Sequence, residues 1–262
     1  MSDALVLCYH GVSEDWPADF SITPGRLADQ LRWFLDRRYR PATFTAAARG
    51  ELDGRVLAVT FDDAYRSVAE LAAPLLAELG VTGTVFAPTR FVRDQDARGW
   101  DGTDEWAGSR WEGELAVLGW DGLRLLAEAG WEVGSHTRTH PRLTRLADEE
   151  LREELAGSRA EVEEGLGGPC RSLAYPYGDL DDRVAAAARE AGYAAAGGVL
   201  PARLSARDPL RFPRISVGQG WADETLQRRA RPWHRRLQAS RAWPAVPRAV
   251  SALRAARGVV RG

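Results

Sequence analysis

Short apolar runs alternate with longer stretches of helical periodicity along most of the chain. The runs at 4–9, 56–61, 82–87, 131–135, 172–175, 193–198 and 212–217 have the length of buried strands. Between them, 24–38, 65–79, 121–129, 147–166 and 181–191 repeat apolar residues at helical spacing. Gly80 and Gly130 stand where two of these helices should stop, because glycine takes the left-handed conformation of a helix end. Strands alternating with helices predict an α/β fold with a parallel sheet. Seven strands in 262 residues predict that the sheet closes into a (β/α)7 barrel rather than staying open. No repeat of solenoid type interrupts this reading.

In such a barrel the working residues gather at the C-terminal ends of the strands. Asp62 and Asp63 end the run 56–61, His136 and His140 follow 131–135, and His10 follows 4–9. Tyr177 follows 172–175, and Arg214 lies within 212–217. Hydrolysis of an unactivated amide or ester needs this kind of set. A divalent ion on imidazoles and a carboxylate lowers the pKa of water from 15.7 to about 7 and polarises the carbonyl, and a second carboxylate serves as base. Taken alone, Asp62-Asp63 also reads as the N-cap of the following helix. Two histidines in a loop can equally be solvated or bonded to backbone. Both pairs directly after strands favour a metal-dependent hydrolase.

The motifs carrying this chemistry are Thr60-Phe61-Asp62-Asp63, Ser135-His136-Thr137-Arg138-Thr139-His140 and Ala174-Tyr175-Pro176-Tyr177-Gly178. Across most of residues 4–218 the chain resembles the polysaccharide deacetylases of the NodB-homology group, carbohydrate esterase family 4. The resemblance implies a distorted (β/α)7 barrel and metal-dependent removal of acyl groups, commonly N-acetyl, from sugars. Carried over by motif, Asp62 is the general base, and Asp63, His136 and His140 hold one divalent metal ion. Zinc suits these ligands, as do nickel, cobalt and iron. The Pro176–Gly178 turn would aim the Tyr177 amide at the developing oxyanion.

Three departures stand out. Ala64 occupies a position where the family usually has glycine, a small change. Ala174 stands where the third motif usually has an arginine paired with the base. Arg214 is the candidate replacement, with a plain structural arginine as the other reading. The histidine that usually protonates the leaving amine lies in a late motif that is missing here. His10 takes that part by analogy with members of rearranged motif order, as in deacetylases of exopolysaccharide poly-N-acetylglucosamine, because barrel closure sets the first strand beside the last. A turn cap is its alternative.

Charge changes the picture at one end. The chain carries 35 arginines, no lysine and 37 acids, for a net charge of −2, yet residues 226–262 hold ten arginines and no acid. We therefore divide it into a barrel at 1–222 and an arginine-rich extension at 223–262. With Trp233 and Trp243 among its arginines, segment 226–262 is a candidate contact for an anionic membrane surface. Packing on the acidic barrel and disorder are its alternatives; no nucleic-acid motif accompanies the charge, so no nucleic-acid partner is expected. The loop at 93–119 holds Trp100, Trp106 and Trp111, suited either to stacking on sugar rings or, as we favour for most of them, to packing on the barrel. Cys8 and Cys170 read as reduced core residues. With no leader-like segment or membrane span, a cytoplasmic location is expected, and with it a biosynthetic sugar intermediate or glycan as substrate. Hydrolysis of a small non-sugar amide, or a barrel that binds glycans without turnover, are the alternative functions.

Overall fold

The structure, a computed structural model, describes residues 2–96, 102–199, 204–220 and 222–232. Eight parallel strands form a nearly closed barrel: β1 (Ser2–Tyr9), β2 (Gly54–Phe61), β3 (Gly83–Ala87), β4 (Glu132–Ser135), β5 (Ser172–Ala174), β6 (Ala195–Gly198), β7 (Phe212–Pro213) and β8 (Ile215–Ser216). They run side by side as β7-β6-β5-β4-β3-β2-β1-β8. The expected single run at 212–217 is thus two short strands. Phe212 and Pro213 pair with Gly197 and Gly198, whereas Ile215 and Ser216 pair with Leu7 and Cys8. One segment touches both edges of the sheet, and Arg214 sits where it changes partner.

Side chains alternate across each strand and so sort into two apolar layers. Leu5, Leu7, Leu57, Val59, Phe61, Val85 and Val133 face outward, into a core shared with the surrounding helices. Val6, Val56, Ala58, Phe86, Ala174, Ala195 and Phe212 face inward. The short helix Phe44–Arg49 plugs the inner layer, its Phe44 packing edge-on against Phe86 and Phe212. That helix and the strand Arg40–Ala42, paired to β2, were not anticipated; each is too short for a periodic signal.

The helix expected at 65–79 appears as Val68–Ala72 and Ala73–Glu78. Helical backbone begins at Arg66, just past the expected start, because Asp63 and Ala64 are left-handed and Tyr65 bridges to Val117. The one expected at 147–166 is continuous through Asp148–Arg152, a π-helical turn at Glu153–Gly157, and Ser158–Leu166. In the 93–119 loop, Trp106 and Trp111 pack against the core and edge-on against each other at 5.6 Å; Trp100 lies outside the described residues. The helix Asp223–Ala230 buries Leu226 and Ala230 in the outer core, and Asp223 accepts a hydrogen bond from Gln30. Most of the arginine-rich segment, residues 233–262, lies outside the described residues, and with it most of the candidate membrane contact. Among the described residues no helix is long and apolar enough to cross a membrane.

Candidate active site at the barrel mouth

The inward column of each strand decides what reaches the mouth. On β1 that column continues from Val6 through Cys8 towards His10, and on β2 from Ala58 through Thr60 to Asp62. On β4 it runs from Glu132 through Gly134 to His136, and across the split run from Phe212 to Arg214. A cavity of about 260 Å³ collects these ends. His10, Asp62, Asp63, His136, His140, Tyr177 and Arg214 all line it, so the structure brings every candidate residue to one place. Cys8 and Tyr65 line it too, and the sequence reading missed both. Cys8 was legible in principle, two positions before His10 on the same face of a strand.

Arg214 meets Asp62 end on. Its Nη1 donates to Oδ1 at 2.6 Å and its Nη2 to Oδ2 at 2.8 Å, and Nη1 also reaches Thr60 Oγ1 at 3.3 Å. The Cys8 thiol donates to Asp62 Oδ2 at 3.4 Å. The guanidinium comes in over β6, where a Cβ on Gly197 would stand 2.6 Å from Arg214 Cδ and 2.8 Å from Nε. Gly197 pairs in register with Ala174, so two small neighbours clear a corridor for a long side chain from the next strand.

Asp63 turns the other way. Its Oδ1 lies 3.5 Å from His136 Nε2 and 3.5 Å from His140 Nε2, and has no hydrogen-bond partner although it is buried. His136 Nδ1 lies 2.8 Å from the Ala174 carbonyl, which takes the ring proton and leaves the Nε2 lone pair facing Asp63. A carboxylate oxygen and two imidazole nitrogens grouped within 4.8 Å fit a divalent cation.

The electrostatics point the same way. Burial pushes the Asp62 carboxyl up, but the Arg214 guanidinium outweighs it and holds the group below the usual carboxylate range. Asp63 is not bonded to the guanidinium, so burial and the Asp62 charge push it well up, with Arg214 opposing too weakly to prevent it. Burial lowers His136 and, together with the neighbouring His136, lowers His140 further. His10 is pushed down to about 4, again by burial, with Asp62 opposing. Asp63 and the two imidazoles thus form a donor set lacking a positive charge.

Strained backbone marks the same loops. Seven non-glycine residues among those described have positive φ, and five are Asp63, Ala64, Thr137, His140 and Tyr177. Such residues cost roughly 1–3 kcal/mol each unless the surroundings impose them, and they collect at functional sites. Ala64, at φ 52°, shows why glycine is usual there: the change is not small, because an alanine has to hold a left-handed conformation.

The family model described as polysaccharide deacetylase matches residues 49–196. The chain belongs to the polysaccharide deacetylase family. Chitin deacetylase 1 of Cryptococcus neoformans is 39% identical over 64 residues, 24% of this chain and 14% of that protein. A Bacillus subtilis protein named as a polysaccharide deacetylase, YxkH, is 21% identical over 72% of this chain and 61% of its own length. The chain therefore spans less than two thirds of either relative. The Streptococcus pyogenes deacetylase PplD, solved with acetate, superposes with a TM-score of 0.70 at 20% identity, covering 87% of this chain and 98% of that one, and shares the barrel. The match to the family runs from ahead of β2 to within β6, which leaves His10 and Arg214 outside the matched residues.

Proposed function

We propose that this polysaccharide deacetylase family member is a metal-dependent hydrolase that removes N-acetyl groups from an amino sugar or glycan. The observation that carries the reading is the convergence, in one buried cavity, of Asp63 Oδ1 and the His136 and His140 imidazoles beside an Asp62 carboxylate that Arg214 holds ionised. Asp63 Oδ1 and the Nε2 atoms of His136 and His140, each 3.5 Å from that oxygen, would hold the ion, and this oxygen and nitrogen donor set suits zinc. Zinc is the expected ion on that ground, and cobalt a serviceable substitute.

When bound, the ion supplies Lewis acidity at the acyl carbonyl and eases the ionisation of water. Asp62 accepts a proton from the attacking water as its oxygen bonds to the acyl carbon. Arg214 keeps Asp62 charged and aimed, and the Tyr177 amide, in its left-handed turn, donates to the oxyanion. His10 begins neutral, since burial lowers it, so it has to acquire the proton that it delivers. The Asp62 carboxylate and the His10 ring lie within 4.8 Å of each other, close enough for a short relay. A proton on Asp62 sits on a strongly acidic group and moves downhill to the imidazole, which gives it to the departing nitrogen. The carbon–nitrogen bond breaks, leaving acetate and a free amine, with no proton drawn from outside the site. The cavity has room for the acyl group and one sugar ring, so the rest of a polymer would lie outside it.

The deciding experiment measures acetate release from short N-acetylglucosamine oligomers by chelator-stripped protein resupplied with Zn or Co, with Asp63→Ala as control. Release that metal restores, and that the variant lacks, supports the reading. Stoichiometric metal binding without release would redirect it to a small amide or a carrier-linked sugar. No metal binding would end it.

A further inference from the structure

The backbone between the two histidines is bound from behind by one carboxylate, while the Arg138 side chain pairs separately with Glu161 and Glu153. Glu154 Oε2 accepts from the backbone N–H groups of Arg138 at 2.8 Å and Thr139 at 3.0 Å, and its Oε1 accepts from Thr139 Oγ1 at 2.7 Å. These are two of the three residues between the histidines. Each flank of the segment is left-handed, Thr137 at φ 68° and His140 at φ 58°, so the loop does not hold its course on local preference alone. Glu154 comes from the π-helical turn Glu153–Gly157, a local widening of the kind found at functional sites. The same turn binds the loop base: Ser158 Oγ lies 2.6 Å from the Glu154 carbonyl and 2.8 Å from Ser135 Oγ, which in turn accepts from Thr137 N at 3.0 Å.

We infer that Glu154 is a positioning residue for the metal site, fixing the backbone between His136 and His140 so that both Nε2 atoms face Asp63. It touches neither ion nor substrate. An ionised carboxylate with two N–H donors and a hydroxyl makes three charge-assisted bonds, whereas a neutral or shorter side chain cannot. The opposite wall of the loop is held by backbone alone, Thr89 N to the Thr137 carbonyl at 3.1 Å and Arg90 N to the Arg138 carbonyl at 3.0 Å. Those bonds tie the loop to β3's end but leave the Arg138 and Thr139 amides to Glu154.

This inference rests on the metal reading above, and the test separates the two. Zn and Co affinities of the full-length protein are measured by competition with a chromogenic chelator, and the visible spectrum of the Co form is recorded, for wild type, Glu154→Ala, Glu154→Gln, Thr139→Val and Glu164→Gln. Second-shell changes of this kind typically weaken metal binding about 10–100-fold. We expect that loss in Glu154→Ala with an altered Co spectrum, and a smaller loss in Glu154→Gln, whose amide oxygen still accepts from backbone. Thr139→Val, losing one bond of three, should lose a few-fold and serves if Glu154→Ala does not fold. Glu164, exposed on the same outer groove, controls for the charge and should leave affinity unchanged. Affinity within twofold of wild type and an unchanged spectrum in both the Glu154 variants and Thr139→Val would overturn the inference while leaving the metal site standing. Failure of wild type to bind one ion would remove the reading beneath it.

Discussion

Replacing Arg214 with Met strands a charge. The Arg214 and Asp62 side chains are 1% and 5% exposed, so water screens neither, and the guanidinium is what keeps the carboxylate ionised. Deleting one partner of such a buried pair costs about 3–5 kcal/mol, because the other is left uncompensated. At about 2 °C per kcal/mol for a chain of this size, Tm should fall by roughly 6–10 °C at pH 8. The pH dependence carries the sign. In wild type the Asp62 pKa lies below its ordinary value of 3.8, so its contribution is present above that pH and lost as pH falls through the folded value. In Arg214→Met burial is opposed only by the lesser pull of His136 and His10, so the pKa should rise above 3.8; the penalty is then full at high pH and relieved as acid protonates Asp62. The deficit against wild type, measured by urea unfolding followed through tryptophan fluorescence, should be largest at pH 8 and shrink by pH 5. In an Asp62→Asn background Arg214→Met strands no charge and instead removes a guanidinium already left uncompensated, so at least about 2 kcal/mol of the deficit should vanish. A deficit under about 1 kcal/mol at pH 8, or one of equal size in the neutral Asp62→Asn background, would refute the argument.

The other predictions concern the same cavity. Gly197→Ala should push Arg214 off Asp62, costing about 1–3 kcal/mol in stability and lowering kcat more than it changes KM, as read from denaturation and steady-state kinetics. Asp62→Asn should keep stoichiometric Zn but lose about 10²–10⁴-fold in kcat, whereas Asp63→Ala should lose the metal itself; titration with Zn separates them. His10 is lowered to about 4, so the stability gained from its neutral form is present above its ordinary value of 6.5 and lost as pH falls through 4. Wild type should therefore lose more stability than His10→Gln over that window, and melting curves from pH 7 to 4 check it.

The strand–helix alternation, the strand ends and the three motifs were local enough to be legible in the chain itself. The strand ends placed Asp62, Asp63, His136 and His140 at the barrel mouth, and the family's motifs named the ligands. Local pattern does not record which strand edges meet. The run 212–217 reads as one strand, and only closure of the barrel divides it between β6 and β1 and leaves Arg214 at the break. Ala174 looked like a lost arginine. In three dimensions, Ala174 and Gly197 make the space through which Arg214 reaches Asp62 from 152 residues along the chain. Glu154 carried no signal, being one acid among several on a helix; its bonds to the Arg138 and Thr139 amides exist because the π-helical turn meets the histidine loop. Periodicity and motifs are set by neighbours in sequence, whereas the charge on a buried carboxylate and the course of a strained loop are set by whatever the fold packs against them.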